Sequence, residues 1–203
     1  VRVLVACEFS GVVRRAFRER GHTAYSCDII PSEDNSPYHI QEDVLSVLDE
    51  GWDLMVAHPP CTRLCASGTR WLNKPPPGRT VKDMFRELQQ AADLFTLLYH
   101  APIKHVAVEN PIMHSYGRLA MPTVPPYRQI IQPWQHGHGE LKTTCLWLKE
   151  LPLLQHSKIV EGREMRVHRM SEKPDRAKER ARTYTGIAAA MAKQWGDYVS
   201  QMD

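Results

Sequence analysis

Cys61 stands directly behind His58-Pro59-Pro60, at the end of the apolar run Leu54–Ala57. A thiol in that place has the chemistry of a nucleophile. Two consecutive prolines restrict the backbone at and before each ring, so they make a stiff exit from a strand and hold the next side chain in one place. A free cysteine, with an ordinary pKa of about 8.5, is only a few per cent thiolate at neutral pH. A nearby cation or helix N-terminus raises that fraction. Cys65, four residues on, lacks such a setting and reads as structural. The second reactive group is Glu109, which ends the apolar run His105–Val108 and is followed by Asn110-Pro111. A carboxyl group there is costly to bury unless it is paired or protonated. In the protonated form it can donate a hydrogen bond to a ring nitrogen.

Two further places suit a ligand. Phe9-Ser10-Gly11 follows an apolar start, with a glycine that permits close backbone approach and an aromatic face beside it. Asp28 lies about 20 residues further on, where a carboxylate accepts hydrogen bonds from ribose hydroxyls. The G-x-G-x-x-G pattern of dinucleotide binders is absent. A nucleoside-like cofactor without a pyrophosphate is therefore expected in preference to a dinucleotide.

These residues need elements to position them. Val1–Cys7 is rich in β-branched residues, VVRRAFRERG has helical spacing that stops at Gly21, and HTAYSCDI reads as a second strand ending at Asp28. That is a β-turn-α-β unit, the opening of an open α/β sheet. PSEDNSPYHIQED is turn-rich, and Val44–Asp49 suits a short helix. Leu54–Ala57 is a third strand. Met84, Leu88, Ala91, Ala92, Phe95 and Leu98 give residues 81–100 an apolar helical stripe. His105–Val108 is a fourth strand, TTCLWL (143–148) a fifth, and Ala188–Tyr198 a C-terminal helix. Strand ends thus carry Phe9/Gly11, Asp28, Cys61 and Glu109. Ligands of open parallel sheets bind beyond the carboxyl ends of the strands, so one cleft lined by these residues is expected.

The chain's 203 residues suit one domain, 1–203. No apolar run approaches the roughly 20 residues of a membrane helix, and VRVLVACEF does not read as a signal peptide. The expected setting is cytoplasmic, with no membrane partner. The five cysteines, Cys7, Cys27, Cys61, Cys65 and Cys145, include no C-x-x-C pair, so reduced thiols are expected. His136-x-His138 and Cys61-x3-Cys65 do not combine into a zinc ligand set, and no metal is expected. Lys158–Arg182 holds nine Lys/Arg against five Asp/Glu and carries the whole positive excess of a chain whose net charge is +3. That surplus suits phosphate contact or a solvated charged face. Trp147 and Trp195 read as core, while Trp134 sits among His and Gln and fits either core or stacking.

CEFSG (7–11), Asp28, Asp43, HPPC (58–61), ENP (109–111) and TGIAAAMAKQWG (185–196) follow one another in an order that resembles the DNA cytosine-C5 methyltransferases, above all the short bacteriophage-type members. The resemblance implies a single Rossmann-like α/β domain dependent on S-adenosylmethionine. It implies a mostly parallel sheet with helices on both faces and no sizeable target-recognition domain. It implies that Phe9, Ser10, Gly11, Asp28, Ile29, Asp43 and Pro59 hold S-adenosylmethionine, with Asp28 on the ribose and Asp43 on the adenine. Cys61 would attack C6 of a cytosine, Glu109 with Asn110 would serve the N3/N4 edge, and Pro60 would border the base. Carbon 5 is not nucleophilic enough until C6 carries such an adduct, and in a duplex the base must leave the stack.

The sequence departs from that pattern in two places. The Q-x-R-x-R run of the family is represented only by QPWQHGHGELK (132–142), so Gln132, Gln135 or Lys142 is expected to take the place of its arginine. In place of a recognition domain there is only the basic segment 156–182. Three readings besides DNA methylation stay open: methylation of a free cytidine nucleotide such as dCMP, transfer of another group from a related donor, and a silent DNA-binding protein. Amino-group methyltransferases share a Pro-Pro strand exit, but His58 before it and Cys61 after it do not fit their pattern.

Overall fold

Val3–Ala6 is buried at every position, because this strand lies inside the sheet and both of its faces are covered. The computed structural model describes residues 1–166 and 176–202. Its elements in chain order are β1 (Arg2–Ala6), α1 (Val12–Glu19), β2 (Thr23–Cys27), β3 (His39–Ile40), β4 (Leu54–Ala57), α2 (Thr69–Asn73), α3 (Val81–Tyr99), β5 (His105–Asn110), α4 (Ser115–Leu119), β6 (Gln129–Ile131), β7 (Thr144–Lys149), α5 (Arg176–Ala181) and α6 (Thr185–Ser200). The strands form one sheet in the order β3-β2-β1-β4-β5-β7-β6. The first five in that order run parallel, and β7 is antiparallel to both neighbours.

Alternation along the strands sorts the core into two layers. Leu4, Ala6, Met55, Ala57, Val106, Val108 and Trp147 face α3, whose Met84, Leu88, Ala92, Phe95 and Leu98 form the expected stripe. Val3, Val5, Leu54, Val56, Ala107 and Leu146 face α1 and α6 through Val13, Phe17, Ile187, Met191 and Trp195. Helices therefore cover both faces, as expected of a Rossmann-like α/β domain. The long helix α3 starts on a capping box, in which Thr80 Oγ1 accepts from the Asp83 N–H and the Asp83 carboxylate from the Thr80 N–H.

The sequence reading placed β1, β2, β4, β5, β7 and the three longer helices within a few residues of their ends. It missed β3, β6, α2, α4 and α5, which are short. Val44–Asp49 contains only a 3-10 turn at Val44–Ser46. Residues 167–175 of the basic segment lie outside the described residues. Among the described residues no helix is long and apolar enough to cross a membrane.

Candidate active site

Register places the reactive groups. Ala6 pairs with Cys27 on one side and Ala57 on the other, and Ala57 pairs with Val108. The next residue of each strand is Cys7, Asp28, His58 or Glu109, so all four emerge side by side along one edge of the sheet. From β1 the chain runs to β2 on one side, while β4 and β5 lie on the other. The crevice sits at this switch point.

The turn after β1 is tight. Cys7 has φ 57° and Gly11 φ 68°, both in the left-handed region. Cys7 is a costly residue there. A Cβ on Gly11 would meet the buried Arg14 guanidinium at 2.3 Å. Glu8 turns inward, and its carboxylate accepts from the N–H groups of Val13 at 2.7 Å and Arg14 at 3.3 Å. The N-terminus of α1 is thereby occupied by a carboxylate, which leaves no place for a pyrophosphate there. Phe9 is half-buried, Asp28 is half-buried, and Ile29 beside it is 73% exposed. Asp43 caps the 3-10 turn by accepting from the Leu45 N–H at 3.0 Å. Burial pushes the Cys7 thiol up to about 12, with the charges of Asp28 and Asp43 adding to it, so both carboxylates stand near this turn. The surface is apolar with two carboxylates, which accept hydrogen bonds from hydroxyl and amino groups and repel phosphate.

A cavity of about 110 Å³ adjoins it, lined by Cys7–Ser10, His58–Cys61, Glu109, Pro111, Lys142, Thr144 and Arg180–Thr183. Cys61 and Glu109 thus face one space. The prolines are held in place by Asn110, which is fully buried and donates from Nδ2 to the Pro59 carbonyl at 3.2 Å. Asn110 positions the turn and does not line the cavity. His58 Nδ1 lies 3.6 Å from Glu109 Oε1, and both ring nitrogens of His58 are buried without a hydrogen bond among the described residues. Burial pushes the Glu109 carboxyl up, but His58 and Lys142 outweigh it and hold it below its usual range. His58, within ion-pair distance, and Lys142, on the same cavity, both favour the charged form of Glu109.

Cys65, read from the sequence as structural, is placed next to Cys61. Its N–H donates to the Cys61 carbonyl at 2.9 Å, so the chain turns helically after the prolines and stacks the two cysteines. The hydrogen bond from Cys61 pulls the Cys65 thiol down, helped by the Ser67 hydroxyl at 3.0 Å and by the Ser67 and Gly68 N–H groups. The same contact, together with burial, raises Cys61, while Arg180 acts to lower it. The C-x3-C spacing was the available signal, but it has meaning only if a helical turn follows.

No family model matches the chain, and no curated protein matches it in sequence. Among solved structures it is similar to a DNA modification methyltransferase encoded within an E. coli prophage, with a TM-score of 0.52 and 14% identity over 79% of this chain and 52% of that one. It is also similar to the methyltransferase EhMeth of Entamoeba histolytica, with a TM-score of 0.50 and 16% identity over 85% of this chain and 60% of that one. This chain has the methyltransferase fold. It spans little more than half the length of those two structures.

In this methyltransferase fold the segment offered in place of the Q-x-R-x-R run divides. Gln132 donates from Nε2 to Thr143 Oγ1 at 2.7 Å and accepts from the Lys142 N–H at 3.0 Å. Gln135 accepts from the Gln132 N–H at 2.6 Å and its Nε2 contacts His156 Nε2 at 2.8 Å. Both amides are spent on the loop and neither lines the cavity, which corrects their expected contact with the base. Lys142 does line it, next to Glu109, with Nζ donating to the Arg182 carbonyl at 3.0 Å. Trp147 and Trp195 are core, whereas half-buried Trp134 lies under the Arg163 guanidinium, 3.9 Å from its centroid. Among the described residues no cluster of His, Cys, Asp and Glu is arranged to hold a metal.

Proposed function

We propose that this protein transfers a methyl group to C5 of cytosine in DNA through a covalent adduct between Cys61 and C6. The observation that carries the reading is the shared cavity of Cys61 and Glu109, at the carboxyl ends of β4 and β5 and against the turn after β1. The methyltransferase fold supports it.

S-adenosylmethionine fits the surface beside the cavity. Its ribose hydroxyls and adenine amino group suit Asp28 and Asp43, its apolar faces suit Phe9 and Ile29, and it has no phosphate to compete with Glu8 for the helix N-terminus. When bound there it supplies an electrophilic methyl group for C5. The chain's own residues make C5 able to accept it. Cys61 passes its proton to Cys65 and its sulfur bonds to C6, which moves the C5=C6 electron pair toward C5 and the N3/C4 edge. Glu109, in the cavity with Cys61, accepts a hydrogen bond from the exocyclic amino group as a carboxylate and donates to N3 in its protonated form. His58 and Lys142 stabilise the charged form. Once C5 carries the methyl group, solvent water takes its proton, the freed electron pair re-forms the C5=C6 double bond, and the C6–sulfur bond breaks so that Cys61 leaves as thiolate. Asn110 keeps the Pro59-Pro60 turn rigid throughout, which matters because small misplacements of a nucleophile are costly.

The test is incubation with methyl-labelled S-adenosylmethionine and either DNA or dCMP, followed by a trap with 5-fluorocytosine DNA. Labelled DNA and a covalent complex lost in Cys61→Ser are expected. Label in dCMP alone would replace the DNA reading with the nucleotide reading.

A further inference from the structure

The turn after Pro59-Pro60 gives two thiols a relation that their chemistry can use. The Cys61 carbonyl accepts from the N–H groups of Leu64 at 3.0 Å and Cys65 at 2.9 Å. One helical turn therefore separates the cysteines, and side chains four apart on such a turn share a face. Its rise sets their Cα atoms about 6 Å apart, inside the roughly 4.4–6.8 Å that a disulfide spans. The turn ends at Cys65, whose backbone is extended (φ −85°, ψ 161°), so the tilt that closes the last gap falls on one residue. Cys61 is half-buried on the wall of the cavity, and Cys65 is 8% exposed with its sulfur 3.0 Å from Ser67 Oγ.

The other three cysteines are set apart from this pair. All five are free thiols. Cys7 lines the same cavity as Cys61, but burial pushes it up to about 12. Burial likewise pushes Cys27 and Cys145 up to about 11. These three keep their protons at neutral pH, and a protonated thiol is inert toward a peroxide. Cys65 moves the other way, lowered by its contact with Cys61 and then by Ser67.

We propose that Cys61 and Cys65 are a site of reversible oxidation by hydroperoxides, closing to a disulfide that withdraws Cys61 until a dithiol reduces it. Cys65 reacts first. Its thiolate sulfur attacks one oxygen of hydrogen peroxide, the O–O bond breaks, and Cys65 becomes a sulfenic acid while hydroxide leaves and takes a proton from solvent. The Cys61 sulfur then attacks the Cys65 sulfur. The S–O bond breaks, and the leaving OH takes the Cys61 proton to become water. Two electrons pass from the two sulfurs to the peroxide oxygens, and a dithiol returns them by exchange. That the disulfide stops methyl transfer rests on the reading of Cys61 as the nucleophile; its formation does not.

The test reads the bond apart from turnover. The native protein is treated with hydrogen peroxide, quenched in denaturant with N-ethylmaleimide and digested with trypsin. Arg63 lies between the two cysteines, so cleavage there leaves two peptides that only a disulfide joins. Mass spectrometry is expected to find them joined, and dithiothreitol to separate them and restore alkylation of Cys61. Cys61→Ser removes the second thiol, so its Cys65 should hold the sulfenic acid and be trapped by dimedone. Equal thermal melting checks that this variant folds; where it does not, the joined peptides of the native protein decide. Unjoined peptides after peroxide, Cys61 joined to Cys7 instead, or no dimedone on Cys65 in a folded Cys61→Ser would overturn the pair. Methyl transfer to DNA, measured on the same native samples, is expected to be lost on oxidation and to return with dithiothreitol. Transfer that persists with the disulfide formed would remove Cys61 as the nucleophile and keep the pair, and transfer by a protein whose peptides stay unjoined would do the reverse.

Discussion

Cys65 donates its backbone N–H to the carbonyl of Cys61 at 2.9 Å, and that turn brings the two thiols into coupling, Cys65 lowered and Cys61 raised. Besides the contact with Cys61, the Ser67 hydroxyl and the N–H groups of Ser67 and Gly68 lower the Cys65 thiol. The contact with Cys65 and burial raise the Cys61 thiol.

The pair is therefore expected to lose its first proton below the ordinary thiol range of about 8.5. Absorbance at 240 nm, which reads thiolate, should show that step in the native protein and lose it in Cys65→Ser. In the variant the charge that raises Cys61 is gone, so Cys61 should titrate nearer the ordinary value. Methyl transfer at pH 7 should drop, because the group proposed to take the Cys61 proton is gone, and should recover toward pH 9 as Cys61 ionises to solvent. Identical 240 nm titrations would show that Cys65 has no such role.

The charge on Glu109 depends on its neighbours. His58 and Lys142 lower its pKa against burial, which acts upward. With His58→Phe, burial gains weight, and the carboxyl should titrate at higher pH, visible by carbon NMR of labelled glutamate. Glu109→Gln, which can neither take nor give a proton, should cost about 10² or more in turnover, with alkylation of the cysteine pair retained. A Glu109 signal that does not move in His58→Phe would refute the pairing.

Arg14 is 1% exposed, donates to Ser26 Oγ at 2.8 Å and pairs with Asp34, which ties the β2–β3 loop to α1. Asp34→Asn leaves that guanidinium buried without its counter-charge. A loss of about 2 kcal/mol is expected, between the roughly 3–5 of a fully buried pair and the 1 or less of a surface pair, because Asp34 itself is 29% exposed. Burial pushes Asp34 up, but Ser32, Arg14 and Arg15 hold it far below the usual carboxylate range. Its folded pKa being depressed, the contribution is complete above about pH 4 and is lost as pH falls toward the folded value. Urea melts at pH 7 and pH 3 should show the native protein losing stability that the variant has already lost; equal differences at both pH values would contradict this.

Gly186 opens α6 against the loop that carries Lys142. A Cβ there would lie 1.7 Å from the His136 carbonyl oxygen, which is backbone and cannot swing aside. Gly186→Ala should destabilise the protein by about 3 kcal/mol. Gly21→Ala is the comparison: φ is +84° but nothing lies within 4 Å, so only the backbone cost of roughly 1 kcal/mol is expected. Thermal melting that ranks Gly21→Ala as the worse of the two would contradict the contact.

Long buried elements were legible because hydrophobic period and length agree: four buried residues between polar ends could only make β4, and α3 repeats its apolar stripe over several turns. β3 and β6 were not, since two or three half-buried residues become strands only when a neighbour supplies hydrogen bonds. The direction of β7 was equally hidden. A strand buried on both faces has the same composition whichever way it runs. Among the site residues, Cys61 and Glu109 could be picked out because polar groups at the ends of apolar runs are conspicuous. Gln132 and Gln135 misled, because an amide satisfies a nearby loop as readily as a ligand.

The amino-acid sequence by itself determined which side chains stand at the ends of strands, because apolar runs and the prolines that stop them are local facts. Only the tertiary structure decided which of those ends are neighbours. Strand order and register are set by pairing between segments far apart in the chain, and that pairing put Cys7, Asp28, His58 and Glu109 in one row, turned Cys65 onto Cys61, and brought Arg180 across to the same cavity.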